Sequence, residues 1–310
     1  MTESAWAPIA LFIYKRPRHT RRMIEHLLRC PGFAESPVFV FADGPRLPRD
    51  TAAIAETRAE ARRLLGDRAV YLERETNAGL DTSVVAGVTD LCDRYGRVIV
   101  VEDDLVVSPY FIEFLNAGLR KYAGEPRVMQ VCGHMFDVPE LSRSKDAVFL
   151  PLISSWGWGT WKRAWDLFDP QAHGWTARLA DRRERTRFDL DGNFAYARML
   201  SRQMKRPVPA WDIRWYYSVF VRHGIALYPP RTLVLNEGFD GTGTHGRLSE
   251  PLRQAPLDEH AAFEFPTEVA ESAAEQAVFR AIGQSRSASA PRRIKAAAGS
   301  LLRRLRGTPS

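Results

Sequence analysis

The chain contains few cysteines and no long apolar run, and both shortages exclude classes of protein. Its three cysteines in 310 residues, Cys30, Cys92 and Cys132, are too few and too scattered for a disulfide framework or a cysteine-type zinc site. The apolar run IALFIY (9–14) is much shorter than the roughly 20 residues of a membrane span, and it lacks the cleavage site of a signal peptide. The sequence therefore predicts a cytoplasmic protein without an integral membrane segment.

Several catalytic signatures are missing as well. The chain has no G-x-x-x-x-G-K-[ST], no G-x-S-x-G and no H-E-x-x-H, and no G-x-G-x-x-G follows a strand near the N-terminus. The first absence excludes a P-loop NTPase. The others argue against a serine hydrolase of the nucleophile-elbow type, a zinc protease and a dinucleotide-binding enzyme.

The net charge of +7 is concentrated at the C-terminal end of the chain. From residue 280 onward there is no acidic residue and there are eight basic ones: Arg280, Arg286, Arg292, Arg293, Lys295, Arg303, Arg304 and Arg306. The preceding 279 residues carry about −1, so the basic folded face that a nucleic-acid partner requires is not indicated.

The C-terminal tail, residues 292–310, contains a basic amphipathic pattern. One side of its helical wheel is apolar: Ile294, Ala298, Leu301, Leu302 and Leu305. Such a helix is typical of binding to an anionic membrane surface, where each basic residue adds about 1 kcal/mol. The alternative is a solvated, disordered tail. Residues 284–291, QSRSASAP, have the composition of a flexible linker.

The first half of the chain alternates strand and helix patterns. The sequence predicts strands over 9–14, 37–44, 69–74 and 98–104, and helices over 18–29, 50–66 and 80–96. Strands separated by helices favour right-handed βαβ units and a mostly parallel sheet. The fold class is therefore α/β. Residues 128–245 are less regular and rich in aromatic side chains.

Polar residues follow each of the four predicted strands. They are Lys15 and Arg16, then Asp43, then residues 74–77, and finally the acidic triplet Glu102, Asp103 and Asp104. Because ligands of such sheets collect at the carboxyl ends of the strands, we expect these residues to form one site.

The acidic triplet directly follows the apolar run VIVV (98–101). Three consecutive carboxylates repel one another, and nothing in core packing explains them. Carboxylate oxygens are hard ligands suited to Mg²⁺ or Mn²⁺, which would neutralise a bound diphosphate. The alternative is that they cap a helix or lie in solvent.

Four segments together resemble the GT-A glycosyltransferases, in particular the group around N-acetylglucosaminyltransferase I and related bacterial enzymes. They are FVFADGP (39–45), NAGLDTSVVAGV (77–88), VIVVEDDLVVSPYFIEFL (98–115) and SSWGWGTWKRAW (154–165). The resemblance extends over residues 8–246. It implies a Rossmann-like, mostly parallel central sheet flanked by helices. We predict a catalytic domain over 1–283, with a nucleotide-binding half at 8–127, an acceptor-side half at 128–246 and a C-terminal helix at 262–283.

The same resemblance assigns roles to residues of the predicted site. It implies that Asp104 binds the metal, that Asp103 lies near the ribose of the donor and that Glu102 lies near the donor sugar. It places Arg16 on the nucleotide and Asp43 on the base. A surface charge at Arg16 and an ordinary Asp-Gly-Pro turn at Asp43 are the alternatives.

Two further segments carry candidate ligand contacts. Asn77 and Gly79 are candidates for nucleotide-sugar binding, since a small residue lets the backbone approach a ligand. The resemblance places Trp156 and Trp158 in the substrate cleft, where aromatic faces suit sugar rings. For Trp161 and Trp165, four residues apart, we predict one helix face packed on the core.

A catalytic base and a second metal contact complete the implied site. The resemblance assigns the base to Asp212, although the sequence reads W-D-I-R-W where the family has W-D-D-W. A pair with Arg214 or a helix cap is an equally good interpretation of Asp212. His245, in the glycine-rich stretch NEGFDGTGTHG (236–246), is placed where the family has a lid, near the metal or diphosphate. The alternative for His245 is a surface position.

The sequence therefore predicts a glycosyltransferase that uses Mn²⁺ or Mg²⁺ and moves a sugar from a nucleotide diphosphate sugar, a UDP-sugar for preference, to an acceptor hydroxyl with inversion. A tail on the inner membrane face would suit polysaccharide or glycolipid synthesis. The alternatives are a sugar-1-phosphate nucleotidyltransferase and a non-catalytic protein that binds sugar nucleotides or glycans. The first normally has a glycine-rich loop after its first strand, where this chain reads YKRPRHT.

Overall fold

The computed structural model describes residues 6–207, 210–240, 254–259 and 262–287. The strands, in chain order, are β1 (Ile9–Ile13), β2 (Val38–Ala42), β3 (Ala69–Glu73), β4 (Arg97–Glu102), β5 (Leu105–Val107), β6 (Val128–Cys132), β7 (Val148–Leu150), β8 (Trp158–Trp161), β9 (Ile225–Tyr228) and β10 (Val234–Asn236). The helices are α1 (Pro17–Leu27), α2 (Thr51–Leu65), α3 (Leu80–Tyr95), α4 (Phe111–Lys121), α5 (Lys162–Trp165), α6 (Trp175–Arg178), α7 (Arg182–Phe188), α8 (Tyr196–Gln203), α9 (Trp211–Phe220) and α10 (Glu275–Ser287).

A central sheet of eight strands organises the molecule, in the order β3-β2-β1-β4-β8-β6-β9-β7. The first four strands are mutually parallel, β6 and β9 are parallel to each other, and β8 and β7 run antiparallel to their neighbours. The predicted α/β fold, with a mostly parallel sheet flanked by helices, is confirmed. A separate two-stranded ribbon pairs β5 with β10.

The inner strands are buried on both faces, as parallel sheets require. All five residues of β1 are at most 3% exposed, although successive side chains point to opposite faces. The run VIVV of β4 is buried throughout. Both faces of the sheet are therefore covered, and only the ends of these strands are open to a ligand.

Local sequence explains where the first helices begin and end. Pro17 begins α1, because its fixed φ fits a first helical turn that needs no N–H donor. Gly96 ends α3 in the left-handed region, with φ of 73°. The seven elements predicted over 9–104 all exist, with bounds that differ from the predictions by at most two residues.

The C-terminal prediction needs a correction. The helix predicted over 262–283 is shorter at its start and longer at its end, since α10 begins at Glu275 and runs to Ser287. Residues 262–274 form no helix, and Ser272 N donates to Phe149 O at 3.0 Å. Because 284–287 belong to this helix, only the remainder of the predicted linker, 288–291, is left. That remainder and the tail lie outside the described residues.

All three cysteines are free and buried. Burial raises the pKa of Cys30 to about 12 and that of Cys132 to about 11, so neither thiol is a reactive nucleophile near neutral pH. In the part of the chain that the structure describes, no helix combines the length and the apolar character needed to cross a membrane.

Candidate functional site

The carboxyl ends of β1 to β4 lie side by side at one edge of the sheet, because these four strands are parallel neighbours. We call this edge the carboxyl rim. It consists of Tyr14–Arg16 after β1, Asp43 and Gly44 after β2, Asn77–Gly79 after β3, and Glu102–Asp104 at the end of β4. The polar residues predicted to converge from the four strand ends are thus on one edge.

Asp103 ties the end of β4 to the end of β1. Its Oδ2 accepts a hydrogen bond from Tyr14 N at 2.9 Å. Lys15 turns the chain between Tyr14 and Arg16 with a positive φ of 34°, a region that non-glycine residues rarely adopt. Nη1 of Arg16 then donates to Asp103 Oδ1 at 3.2 Å and to Asp104 Oδ2 at 2.9 Å. Arg16 is therefore a member of the rim and not a surface charge.

The rim holds more negative charge than Arg16 compensates. Burial is the main cause that raises the pKa of Asp103 to about 7, and the neighbouring carboxylate of Asp104 is the second. Arg16 acts in the opposite direction. The pKa of Glu102 is raised well above its ordinary value by burial and by the carboxylates of Asp104 and Asp103. A cluster of this kind attracts a cation or a hydrogen-bond donor.

Asp43 organises the loop that follows β3. Its two carboxylate oxygens accept hydrogen bonds at 2.9 Å from the backbone N–H groups of Gly44, Ala78 and Gly79 and from Nδ2 of Asn77. Gly44 lies so close to the backbone of Thr76 that a Cβ would not fit, and Gly79 has φ of 84°. Asp43, Asn77 and Gly79 therefore form one rigid unit at the rim, in which the Asp43 carboxylate already holds the loop.

A helix from the second half of the chain brings another carboxylate to the rim. Asp81, in the first turn of α3, accepts a hydrogen bond from Trp211 N at 2.7 Å and so anchors the start of α9. Asp212 is half-buried in the first turn of α9, and its Oδ1 accepts a hydrogen bond from Ile213 N at 2.7 Å. After burial and the carboxylates of Asp104 and Asp103, Asp212 and Asp81 also raise the pKa of Glu102, so their charges act on the acidic triplet.

The alternative interpretation of Asp212, a pair with Arg214, has partial support. The guanidinium of Arg214 donates to Ala210 O and Pro170 O, both at 3.0 Å. The carboxylates of Asp81 and Asp212 act on it electrostatically as well. Arg214 is buried beneath the first turn of α9, so it balances part of the charge of Asp212 from the protein side.

The four tryptophans of the SSWGWGTWKRAW segment separate into one half-buried residue and three core residues. Trp156 is half-buried, whereas Trp158 is fully buried, with its ring stacked on Trp211 at a centroid distance of 5.1 Å. The prediction of a cleft position is wrong for Trp158, because neighbouring rings enclose it. Trp161 and Trp165 are core residues, but they do not share a helix face: Trp161 ends β8 and Trp165 ends α5.

Trp156 belongs to a group of rings that we call the aromatic wall: His134, Phe136, Trp156 and Phe239. His134 contacts Trp156 and Phe136 at centroid distances of 4.5 and 4.8 Å, and Trp156 contacts Phe239 at 5.8 Å. Phe136, Trp156 and Phe239 are each half-buried. The wall lies at the loops that follow β6, precede β8 and follow β10.

The loop after β10 joins the aromatic wall to the carboxyl rim. Glu237 N donates to Asp104 O at 2.9 Å, and Gly238 packs against the Asp104 carboxylate so closely that a Cβ would overlap Oδ2. Phe239 of the wall is the next residue. Asp240 then pairs with His19 at 3.3 Å and contributes to the raised pKa of Arg16. Asp104 and the aromatic wall are therefore connected through Glu237 and Gly238.

The donor set of the rim suits a hard divalent cation, although the protein does not form a complete cage for one. Among the described residues, no group of three His, Cys, Asp or Glu side chains has the geometry of a metal site. Mg²⁺ is commonly held by one or two carboxylates, with substrate phosphates and water completing its shell. Asp104, half-buried and next to two more carboxylates, fits that mode. His245, the second predicted metal contact, lies outside the described residues.

Sequence reasoning missed three residues that the fold brings to the site. Asp81 carried a usable signal, since it is an acidic residue in the first turn of the helix after β3 and thus on the predicted edge. Asp240 and His134 carried none, because their positions depend on how distant loops meet. Asp212 was predicted, but its nearness to Glu102, 110 positions earlier, is known only from the fold.

No protein-family model and no curated protein sequence matches the chain. Solved structures that are similar to it include GalNAc-T7 with UDP, GalNAc and Mn²⁺, at 11% identity and a TM-score of 0.46, over 77% of this chain and 45% of that one. The chain thus spans less than half of GalNAc-T7. The mannosyltransferase PcManGT of Pyrobaculum calidifontis, in complex with GDP-Man and Mn²⁺, is similar at 12% identity and a TM-score of 0.37, over 69% of each chain. A proposed nucleotide-diphospho-sugar transferase of Desulfovibrio desulfuricans G20 is similar at 14% identity and a TM-score of 0.31, over 55% of this chain and 68% of that one. At these values none of the three assigns a ligand to this chain.

Proposed function

We propose that the protein is a metal-dependent glycosyltransferase of the GT-A type, which transfers a sugar from a nucleotide diphosphate sugar to an acceptor hydroxyl with inversion. The observation that carries the proposal is the carboxyl rim: three consecutive carboxylates at the end of β4, with Asp212 close to them on a separate helix. A nucleotide diphosphate sugar needs a cation at its diphosphate and a base near its sugar carbon, and this arrangement offers positions for both.

On the donor side, Asp104 is the proposed metal ligand, with His245 as a second contact. A bound Mn²⁺ or Mg²⁺ would neutralise the charge that develops on the leaving diphosphate. Arg16, now paired with Asp103 and Asp104, supplies a second positive charge for the nucleotide. Asp103 and Glu102 are proposed to face the ribose and the donor sugar, where a protonated carboxyl can donate a hydrogen bond to a hydroxyl group.

The nucleotide is proposed to bind along the loop that Asp43 holds in place. Asn77 and Gly79 lie on this loop, and the fixed backbone at Gly79 allows a ligand to approach closely. Because the Asp43 carboxylate accepts four hydrogen bonds from the protein, its main contribution is to position this loop, in addition to the base contact that the resemblance implies. A UDP-sugar is our preferred donor.

The proposed base is Asp212. A base must accept the proton of the acceptor hydroxyl as the oxygen attacks the anomeric carbon and the bond to the diphosphate breaks. Asp212 is half-buried in the first turn of α9, which is anchored to the rim by the hydrogen bond between Trp211 N and Asp81. The proton moves to an Asp212 carboxylate oxygen, and the diphosphate leaves with the electron pair of the broken bond.

The acceptor is proposed to be a glycan or glycolipid, with the basic tail on the inner membrane face. Support for this part comes from the sequence of residues 292–306 alone. Co-sedimentation of the full chain and of a chain ending at residue 287 with anionic and neutral vesicles tests it. Anionic-vesicle binding that requires the tail supports the location, and equal binding of both chains contradicts it.

One observation favours a non-catalytic protein that binds sugar nucleotides. Arg16 already occupies oxygens of Asp103 and Asp104, and an arginine can bind a diphosphate without a metal. In such a protein Asp104→Asn would leave nucleotide affinity unchanged in Mn²⁺, and no product would form.

The proposal is tested by calorimetry with UDP-, GDP-, dTDP- and CMP-sugars, with Mn²⁺ or with EDTA. Wild type is compared with Asp104→Asn and with Asp90→Asn, a matched control on the exposed face of α3. We expect one nucleotide class to bind in Mn²⁺ only, at least 10-fold more weakly in Asp104→Asn and equally in the control. Affinity that depends neither on the metal nor on Asp104, or no binding at all, would contradict the proposed function.

A further inference from the structure

His134 has no role in the proposed chemistry, yet it is built into the site in an unusual state. Its side chain is only 5% exposed, and its Nδ1 is buried without a hydrogen-bond partner among the described residues. Burial lowers its pKa to about 3, so the ring is neutral at physiological pH. A neutral imidazole has one donor and one acceptor nitrogen, and leaving a buried one unpaired costs free energy.

The backbone around His134 is fixed from both sides. Gly133 N donates to Gly157 O at 2.7 Å, and Leu233 N donates to Gly133 O at 2.8 Å. Met135 N donates to Thr232 Oγ1 at 3.2 Å. The backbone on both sides of His134 is therefore tied to the segments that precede β8 and β10.

The surroundings of His134 resemble those of a sugar-binding position. Its ring meets Trp156 at 4.5 Å and an angle of 68°, and Trp156 in turn meets Phe239. Half-buried aromatic rings offer apolar faces to the C–H groups of a pyranose, and a neutral polar group between them can bind one of its hydroxyls. Phe239 follows Gly238, which contacts Asp104, so the aromatic wall borders the proposed metal position.

We propose that the aromatic wall binds a pyranose ring and that His134 recognises one of its hydroxyl groups through Nδ1, which has no hydrogen-bond partner among the described residues. The residue thus sets sugar specificity, and it does not act in proton transfer. This inference rests on the proposed function for the identity of its ligand, since the pyranose is either the donor sugar or the acceptor sugar. The chemistry of recognition is the same in both cases.

The test uses the full chain with His134→Phe, which keeps a ring but removes both nitrogens, and His134→Gln, which keeps a donor and an acceptor. His173→Phe is the matched control, because the His173 side chain is 80% exposed. Calorimetry compares the nucleotide sugar of the donor panel with the corresponding nucleoside diphosphate. Methyl glycosides of glucose, galactose, mannose and N-acetylglucosamine serve as acceptor probes.

We expect His134→Phe to weaken binding of the sugar by roughly 3- to 10-fold, the effect of one lost hydrogen bond, with partial recovery in His134→Gln. The nucleoside diphosphate binds as in wild type. Loss with the nucleotide sugar identifies the donor sugar, and loss with a methyl glycoside identifies the acceptor. The melting temperature of His134→Phe is unchanged or higher, because phenylalanine needs no hydrogen-bond partner in the buried position.

Two outcomes would overturn the inference. One is unchanged affinity for every sugar in both variants. The other is an equal loss for nucleotide sugar and nucleoside diphosphate together with a lower melting temperature, which would make His134 a structural residue. If wild type binds no nucleotide sugar but binds a methyl glycoside through His134, the proposed function is wrong and the inference that the aromatic wall binds a sugar is supported. Histidine ring ¹⁵N shifts that respond to the glycoside in wild type provide an independent readout.

Discussion

The carboxyl rim and the aromatic wall lie next to each other, and they differ in the kind of group that lacks a partner in each. At the rim, Glu102, Asp103 and Asp104 carry more negative charge than Arg16 balances, and the pKa values of the first two are raised. At the wall, His134 is neutral and its Nδ1 has no partner among the described residues. One region needs a positive charge and the other needs an uncharged hydrogen-bonding group.

This difference describes a ligand with two unlike ends. In the proposed complex, a diphosphate with its cation would satisfy the rim, and a polyhydroxylated ring would satisfy the wall. Gly238 and Phe239 connect the two regions, so a single molecule of moderate size can reach both. The proposed ligand, a sugar nucleotide, has this constitution: a charged group joined to a neutral ring.

The largest expected effect would show whether Asp212 belongs functionally to the rim. We expect Asp212→Asn to lower kcat by roughly 10²- to 10⁴-fold, the usual contribution of a general base, because an amide cannot accept the proton. Affinity for the donor should change little. Transfer of radiolabelled sugar to the acceptor measures kcat, and calorimetry measures donor affinity.

Asp90→Asn serves again as the control for Asp212→Asn. A variant that keeps more than a tenth of wild-type kcat would show that Asp212 only pairs with Arg214. A large loss of donor affinity with unchanged kcat would show that Asp212 binds the donor and does not act as the base.

The second effect separates the wall from the core beneath it. We expect Trp158→Ala to lower the free energy of unfolding by about 3–5 kcal/mol, because it leaves a cavity between Trp165 and Trp211. Trp156→Ala should cost clearly less stability, since its ring is half-exposed, and should instead weaken sugar binding. Urea unfolding measures the first quantity. Equal losses of stability in the two variants would contradict the division between wall and core.

The third effect concerns the only cation that the described structure places between Asp103 and Asp104. Arg16→Met leaves the buried carboxylate of Asp103 and the half-buried carboxylate of Asp104 without this cation, so we expect a loss of about 3 kcal/mol in the free energy of unfolding. Arg22→Met is the matched control: its pair with Glu237 is exposed, so we expect less than about 1 kcal/mol. Urea unfolding in EDTA measures both. A loss no larger than that of the control would show that the rim does not depend on Arg16.

The smallest expected effect is on stability and comes from Glu275, a carboxyl group outside the site that serves as a reference. Burial and the nearby Glu271 raise the pKa of Glu275 to about 7. Its pKa in the unfolded chain is near 4.5, so the folded state binds more protons between pH 4.5 and 7, and stability falls as the pH rises through this window. Glu275→Gln removes this loss. Since Glu275 is half-exposed, we expect a gain under about 1 kcal/mol at pH 8 and none at pH 4.5.

Thermal unfolding of Glu275→Gln at pH 4.5 and 8 tests that expectation. Nucleotide sugars and Mn²⁺ should stabilise the variant and wild type equally. A ligand effect that differs between them would mean that the excess of charge at the rim extends to α10.

The rim was largely predictable from the sequence because short-range patterns determine it. The run VIVV requires a strand buried on both faces, Pro17 begins α1, and the glycines at 66 and 96 close α2 and α3. Once four parallel strands are in order, their carboxyl ends must share an edge. Arg16, Asp43 and the acidic triplet follow from that rule without any knowledge of packing.

The wall and the centre of the sheet were not predictable in this way. The segment WGTW was predicted as part of a helix face and a cleft, yet it forms β8, between β4 and β6. The reason is non-local: the segment pairs with β4 and β6, and Gly159 leaves room for Leu119 and the Val98 carbonyl beside it. Partners 60 positions away in the chain leave no periodic signal.

The close contact between Gly238 and the Asp104 carboxylate has a consequence for anyone who redesigns this protein. Substitutions at positions 104 and 238 therefore depend on each other. A side chain added at 238 must displace the carboxylate, and a longer acid at 104 must occupy the space that Gly238 leaves. Libraries that randomise the acidic triplet alone would therefore sample a confined set of geometries. Pairing each change at 104 with a change in the β10 loop would let selection explore a wider range of carboxylate positions at this end of β4.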